Sequence, residues 1–265
     1  MYNAFQLAKK YISYYIKASN GSGHGMHSPF VFEFIQQVLN NKKSFPAYPQ
    51  VEQIRKQLLA DNRILEVEDF GAGSTSLRMK NRVVRQIAAS SLKPKKFAQL
   101  LHRIVAHYHP KQIIELGTSL GVTSSYLALG NPNATITTCE GSEQIAAVAQ
   151  QVFNQQQLKN IQIIKGNFDE TLPKWLQQTS NIDLAFIDGN HRKLPTIQYF
   201  EQLLPHMHPN GMLIFDDIHW SEGMEEAWKT IKEHPAVTLS IDLFFIGLIF
   251  ISPDFKTPQH FTIRF

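Results

Sequence analysis

The stretch IIELGTSLG, Ile113 to Gly121, decides the fold. A short apolar run ends in an acid, breaks into a turn bracketed by two glycines, and leads into VTSSYLAL (122–129), which reads as helix. A second stretch, EVEDFGAGS (66–74), has the same outline of acid, glycine and small residues. Either suits a nucleotide-type ligand at the end of a first strand, and the residues downstream separate them. After the first come a helix and then TITTCE (135–140), a β-branched strand ending in Glu140. An acid about 20 residues beyond the glycine turn, at the end of a second strand, accepts hydrogen bonds from ribose hydroxyls. After the second comes RMKNRVVRQIAASSLKPKK (78–96), read as having no strand, and it contains no acidic residue. IIELGTSLG is therefore the ligand loop.

Outward from it, strands and helices alternate. SEQIAAVAQQVFNQQQL (142–158) reads as helix with Ser142 as N-cap, IQIIKG (161–166) as strand and ETLPKWLQQ (170–178) as helix. IDLAFID (182–188), LPTIQYFEQLLPHM (194–207), MLIFDD (212–217) and EGMEEAWKTIKEH (222–234) continue the rhythm. This spacing implies an α/β fold with a parallel sheet covered on both faces and right-handed crossovers. The end differs. VTLSIDL (237–243) and FIGLIFI (245–251) leave room only for a tight antiparallel connection.

A parallel sheet closed by an antiparallel hairpin resembles the class I methyltransferase fold, a Rossmann-like, mainly parallel seven-stranded sheet that binds S-adenosylmethionine. The resemblance covers about residues 94 to 251. The loop agrees with it. A dinucleotide loop reads G-x-G-x-x-G so that a pyrophosphate sits on a helix N-terminus. Here three residues separate Gly117 from Gly121 and the middle glycine is missing, as in a loop whose ligand carries no phosphate. The resemblance implies that Glu115, Gly117, Thr118, Ser119 and Gly121 bind the methionine part and that Glu140 binds the ribose. Asn167, Phe168 and Asp169, in KGNFDETLP (165–173), are then expected beside the adenine. From the residues alone, Phe168 equally suits core and Asp169 equally suits a helix N-cap.

Asp188 ends one strand, and Asp216 and Asp217 end the next. Neighbouring strands lie about 5 Å apart, and their C-terminal ends line the ligand crevice of an open α/β sheet. Like charges that close require a cation between them. A hard divalent ion such as Mg²⁺ suits oxygen ligands, and it orients a substrate hydroxyl and lowers its pKa. The arrangement resembles the catechol O-methyltransferase group and related metal-dependent O-methyltransferases. That resemblance makes Asp188, Asp216 and Asp217 the metal ligands. Metal-free methyltransferases also keep an aspartate at the position of Asp188, where it serves cofactor or substrate binding. His191, in IDGNHRK, stands where the catechol enzymes carry a lysine base. Histidine is a competent base near neutral pH, so His191 and Asp188 are the candidate catalytic pair. His219 and Trp220, in DDIHW, fall where the group contacts substrate.

The first ninety residues stand apart. FVFEFIQQVLN (30–40) and VEQIRKQLLADN (51–62) read as helices, and HGMHSPF, NNKKSFPAYP and DFGAGSTS as loops. Residues 1–93 are expected to form a helical and loop extension to a methyltransferase domain at 94–265. The DFGAGSTS loop, with Arg78 and Arg82 after it, is expected to close over the site as a lid. His24 and His27 have no further cysteine or histidine at a useful interval, which argues against zinc.

Composition bounds the rest. The 265 residues are 43% hydrophobic and 18% charged, an ordinary globular balance. A net charge of +4 is spread out, and its densest run is only Lys93 to Lys96, so nucleic acid is a poor candidate partner. One cysteine, Cys139, excludes a disulfide within the chain and fits a reducing, cytoplasmic setting. The longest apolar run, LFFIGLIFI (243–251), is too short to span a bilayer, so no membrane role is expected. The aromatic segment YISYYI (11–16) leaves a homodimer open. The expected function is S-adenosylmethionine-dependent methyl transfer, to oxygen on a small molecule and with a divalent metal. The alternatives are metal-independent N-, RNA or protein methylation, and a non-catalytic S-adenosylmethionine-binding protein.

Overall fold

A computed structural model describes residues 1–68 and 79–265. The chain divides into two compact units, Met1–Asn41 with Thr179–Phe265, and Lys42–Gln178. The N-terminal ninety residues therefore contribute to both.

In the first unit, α1 (Ala4–Lys17) starts at an Asn3 capping box, in which the Asn3 side chain accepts from the Gln6 amide and the Gln6 side chain accepts from the Asn3 amide. α2 (Pro29–Phe34) starts on Ser28 with proline at its first position, as the fixed proline φ favours, and runs on as a π-helical turn, Ile35–Leu39. The sequence pattern left α1 unassigned.

The second unit opens with α3 (Ala47–Ala60), β1 (Ile64–Glu68), β2 (Met79–Val83), α4 (Val84–Ser91) and α5 (Lys95–Tyr108). β1 and β2 pair as an antiparallel hairpin. This corrects the reading of Arg78–Lys96 as strand-free: Met79–Val83 is a strand, and Glu66, Val67 and Glu68 of EVEDFGAGS lie on its partner strand. The expected lid residues, DFGAGSTS with Arg78, lie outside the described residues; Arg82 lies on β2. Then come β3 (Gln112–Leu116), α6 (Val122–Gly130), β4 (Thr135–Glu140), α7 (Glu143–Gln155), β5 (Ile161–Lys165) and α8 (Phe168–Leu176). β3–β4 and β4–β5 pair in parallel. Their apolar runs are continuous because helices cover both faces. The core joins Val51, Ile54 and Leu58 of α3 to Leu120, Val122, Val152 and Phe153.

The rest of the first unit comprises β6 (Ile182–Ile187), α9 (Lys193–Leu203), β7 (Met207–Asp216), α10 (Glu222–Lys232), β8 (Leu239–Asp242), β9 (Ile246–Phe250) and β10 (Gln259–Thr262). β6 and β7 are parallel neighbours, as the convergence of the aspartates requires. β9 pairs antiparallel with both β7 and β8, which is the expected hairpin. β10 adds a short parallel edge strand beyond β8 that the sequence pattern did not mark.

Candidate active site

In the Lys42–Gln178 unit, the turn after β3 is built by backbone geometry. Gly117 has φ 110° and Gly121 φ 79°, both left-handed, where only glycine is unstrained. A Cβ on Gly121 would lie 2.7 Å from Phe153 Cε1, so that glycine also permits close packing on α7. Ser119, between them, is left-handed too, with φ 48°. The amides of Gly117 and Thr118 donate to the Cys139 carbonyl, which ties the turn to the end of β4. The half-buried Glu140 completes it: Oε2 accepts from the Ser119 amide at 2.8 Å and Oε1 from the Ser142 amide at 3.0 Å. Burial raises the Glu140 carboxyl above its usual value, against those backbone bonds.

Glu115 is fully buried. Its Oε2 accepts from the Ser124 hydroxyl and from Thr138 Oγ1, the latter at 2.6 Å, and Thr138 Oγ1 is also 2.6 Å from Thr118 Oγ1. Its Oε1 is buried without a hydrogen-bond partner. Desolvation lifts this carboxyl to about 7, against the hydrogen bonds and the charge of Lys93. A buried acid with one idle oxygen fits a cationic group that arrives with a ligand, directly or through water. Thr118 is buried, whereas Gly117 and Ser119 keep partial exposure.

At the end of β5, Asn167 is the N-cap of α8, and its side chain accepts from the Asp169 amide at 3.1 Å. Asp169 is exposed in the first turn, so the cap role weighed for it belongs to Asn167. Phe168 is half-exposed rather than core.

The other unit carries the acids. Asp188, His191 and Asp216 each offer a ligand atom, and these atoms all lie within 4.8 Å of one another. Asp216, the last residue of β7, is 3% exposed, and His191 Nε2 stands 3.6 Å from Asp188 Oδ1. Asp217 is not in this group. It leaves the strand with φ 52°, and its amide donates to the Phe245 carbonyl at 2.7 Å. The trio thus offers two carboxylates and an imidazole, where sequence reasoning expected three carboxylates. Spacing along the chain marked Asp217 because it adjoins Asp216, whereas the turn of the backbone brings in His191. Two hard oxygens with an imidazole nitrogen suit a divalent first-row cation, as two carboxylates with waters suit magnesium.

His219 was expected at the substrate. Its ring nitrogens are engaged elsewhere: Nδ1 lies 3.0 Å from Glu225 Oε1 and Nε2 2.8 Å from Asp242 Oδ2. Burial lowers its pKa, but the two carboxylates outweigh burial and the net shift is upward. Neither nitrogen is left to act as a base.

Similarity to known proteins agrees with this geometry. Residues 114–218 match the family model of a methyltransferase domain. The SAH-bound methyltransferase PaMTH1 of Podospora anserina superposes with a TM-score of 0.58 at 13% identity, over 94% of this chain and 96% of that one. The O-methyltransferase from Bacillus cereus in complex with SAH gives 0.55 at 19% identity, over 83% and 97%. TomG, the O-methyltransferase of Streptomyces achromogenes involved in tomaymycin synthesis, in complex with SAM, gives 0.57 at 16% identity, over 79% and 91%. The uncharacterized protein y4gI of Sinorhizobium fredii is 24% identical over 165 residues, 56% of this chain; the match spans 18% of that protein's length. These likenesses establish the fold anticipated from the loop and the terminal hairpin. Among the described residues, no helix is long and apolar enough to cross a membrane.

Proposed function

We propose that this chain, a class I S-adenosylmethionine-dependent methyltransferase by domain and fold, methylates oxygen on a small molecule with help from a divalent cation. The observation that carries the reading is the turn after β3, held open by left-handed Gly117 and Gly121 and tied to Glu140. The O-methyltransferase neighbours from B. cereus and S. achromogenes support oxygen as the acceptor atom.

In this reading Gly117, Thr118, Ser119 and Gly121 shape the methionine end of the cofactor site, and Glu115 balances its ammonium. Glu140 accepts from the ribose hydroxyls, and Asn167, Phe168 and Asp169 border the adenine. Asp188 and Asp216 would hold the cation. When bound, the cation orients the acceptor hydroxyl and lowers its pKa. His191 takes the acceptor proton, and Asp188 beside it holds the imidazole in place and stabilises its charged form. The step itself is an in-line displacement, so positioning of the two reactants supplies much of the acceleration. A second reading is favoured by the close grouping of the trio: His191 is a third ligand.

A homodimer fits the outward side of α1. Phe5, Ala8, Ile12 and Tyr15 recur at alternating steps of three and four, the spacing of a two-helix seam. Phe5 and Ile12 are 80% and 59% exposed, and Ile16 beside them 70%. A single cysteine, Cys139, can form no disulfide within the chain, which fits a reducing, cytoplasmic setting.

The test is calorimetric titration of S-adenosylmethionine, with magnesium and then with chelator. Binding abolished in Glu140→Ala supports the cofactor site, and a magnesium-dependent component lost in Asp216→Ala supports the metal. No binding under either condition overturns the enzyme reading.

A further inference from the structure

Two non-glycine residues of the first unit hold left-handed backbone close to Asp216. Asp217 has φ 52°, and Phe244, in the β8–β9 turn, has φ 71°. Such a conformation is tolerable for aspartate and a true outlier for a bulky aromatic. It persists only where the surroundings over-determine it. The two turns are joined, since the Asp217 amide donates to Phe245 O.

The surroundings that hold them come largely from the first seventeen residues. The Tyr2 amide donates to Trp220 O at 3.1 Å, and the Trp220 amide donates to Asp217 O. Tyr2 Oη donates to Glu225 Oε2 at 2.8 Å, and Lys10 Nζ donates to both Glu225 oxygens, at 2.8 and 3.0 Å. Glu225 in turn holds His219 Nδ1, while Asp242 holds His219 Nε2 and accepts from the Phe244 amide at 2.8 Å. Both His219 nitrogens face carboxylate oxygens. Rings close the arrangement: His219 stacks on Phe244 at 5.0 Å, and Tyr11 and Tyr14 of α1 pack on the same ring at 5.1 and 5.2 Å. Tyr14 also donates to the Ile263 carbonyl.

We infer that α1 is a clamp for the metal-binding side of the site, with Lys10 and Glu225 as positioning residues that, through His219, fix the turn leaving Asp216. This rests on the reading of Asp188 and Asp216 as cation ligands, and it extends that reading to residues that touch neither cation nor acceptor. Hydrogen-bond partners that orient a metal's ligands are commonly worth about 10–100-fold in metal affinity.

The test uses the full chain and two readouts. The first is amide hydrogen exchange over residues 217–221. The second is Mn²⁺ affinity measured by the free-ion paramagnetic signal. Lys10→Met and Glu225→Gln are expected to speed exchange at the Trp220 amide about tenfold or more, the effect of losing a charged hydrogen-bond partner. They are also expected to weaken Mn²⁺ about tenfold, with S-adenosylmethionine binding unchanged and Lys10→Arg restoring both. Wild-type exchange and Mn²⁺ affinity in both variants would overturn the clamp. A wild-type chain that binds no Mn²⁺ would count against the cation reading instead, and the exchange readout would still decide whether α1 holds the turn.

Discussion

Replacing Glu115 with glutamine should change how stability depends on pH, by an amount the structure sets. The carboxyl is fully buried, and burial moves it from 4.5 to about 7. At about 1.36 kcal/mol per pH unit, that difference is worth about 3 kcal/mol. The folded chain holds this proton more tightly than the unfolded chain. The contribution is therefore complete below the unfolded value and is lost as pH rises through about 7. Glutamine keeps an acceptor oxygen for Ser124 and Thr138 and puts an amide where Oε1 has no partner. An unpaired buried donor costs about 1–3 kcal/mol, independent of pH. Urea unfolding of both chains between about pH 5 and about pH 8 should show the wild type losing about 2–3 kcal/mol relative to Glu115→Gln. Saturating S-adenosylmethionine should flatten that difference, because a cation near Oε1 makes the carboxylate comfortable at neutral pH. A difference between the two proteins that stays constant across the range would refute the argument that desolvation controls this group.

Gly121→Ala combines a left-handed alanine, about 1–2 kcal/mol, with overpacking against Phe153, about 1–3 kcal/mol; urea unfolding should show a loss of about 2–5 kcal/mol. For His191→Ala, the base role predicts methyl transfer reduced about 10²–10⁴-fold with Mn²⁺ affinity retained. A loss of affinity alongside activity would make it a ligand. Ile12→Glu places a charge in the outward seam of α1 and should leave a monomer by light scattering at concentrations where the wild type is a dimer.

The regular half of the chain was legible because burial and periodicity agree there. TITTCE and IDLAFID are strands packed on both faces, and nothing local competes with that pattern. Met79–Val83 was not legible. MKNRV has one branched apolar residue and two charges, and it is a strand because Ile64–Glu68 offers a partner edge, a tertiary fact. α1 was hidden for a related reason: its tyrosines and isoleucines favour strands as readily as helices, and the capping box at Asn3 and the packing of Tyr11 and Tyr14 on Phe244 settle it. At the acids, adjacency suggested Asp217, but adjacent strand residues point apart, and the backbone turns left-handed there. His191 sits three residues after Asp188, a spacing that a turn brings together.

Glu140 shows why a ligand acid and a loop acid need not be alternatives. A carboxylate has about four acceptor positions. At least two are used, one on each oxygen, by the amides of Ser119 and Ser142. Those bonds hold Ser119 left-handed between the two glycines and hold the start of α7, so the turn keeps its shape before any ligand arrives. What remains is open to a ligand hydroxyl. The burial that raises this carboxyl's pKa also strengthens any hydrogen bond it accepts. Glu140→Gln therefore separates two effects that Glu140→Ala merges. Glutamine keeps one accepting oxygen for the turn or the ribose but not the full set for both. Its S-adenosylmethionine affinity should fall between those of wild type and alanine, and equal affinities for the two variants would mean that ordering the turn is Glu140's whole contribution.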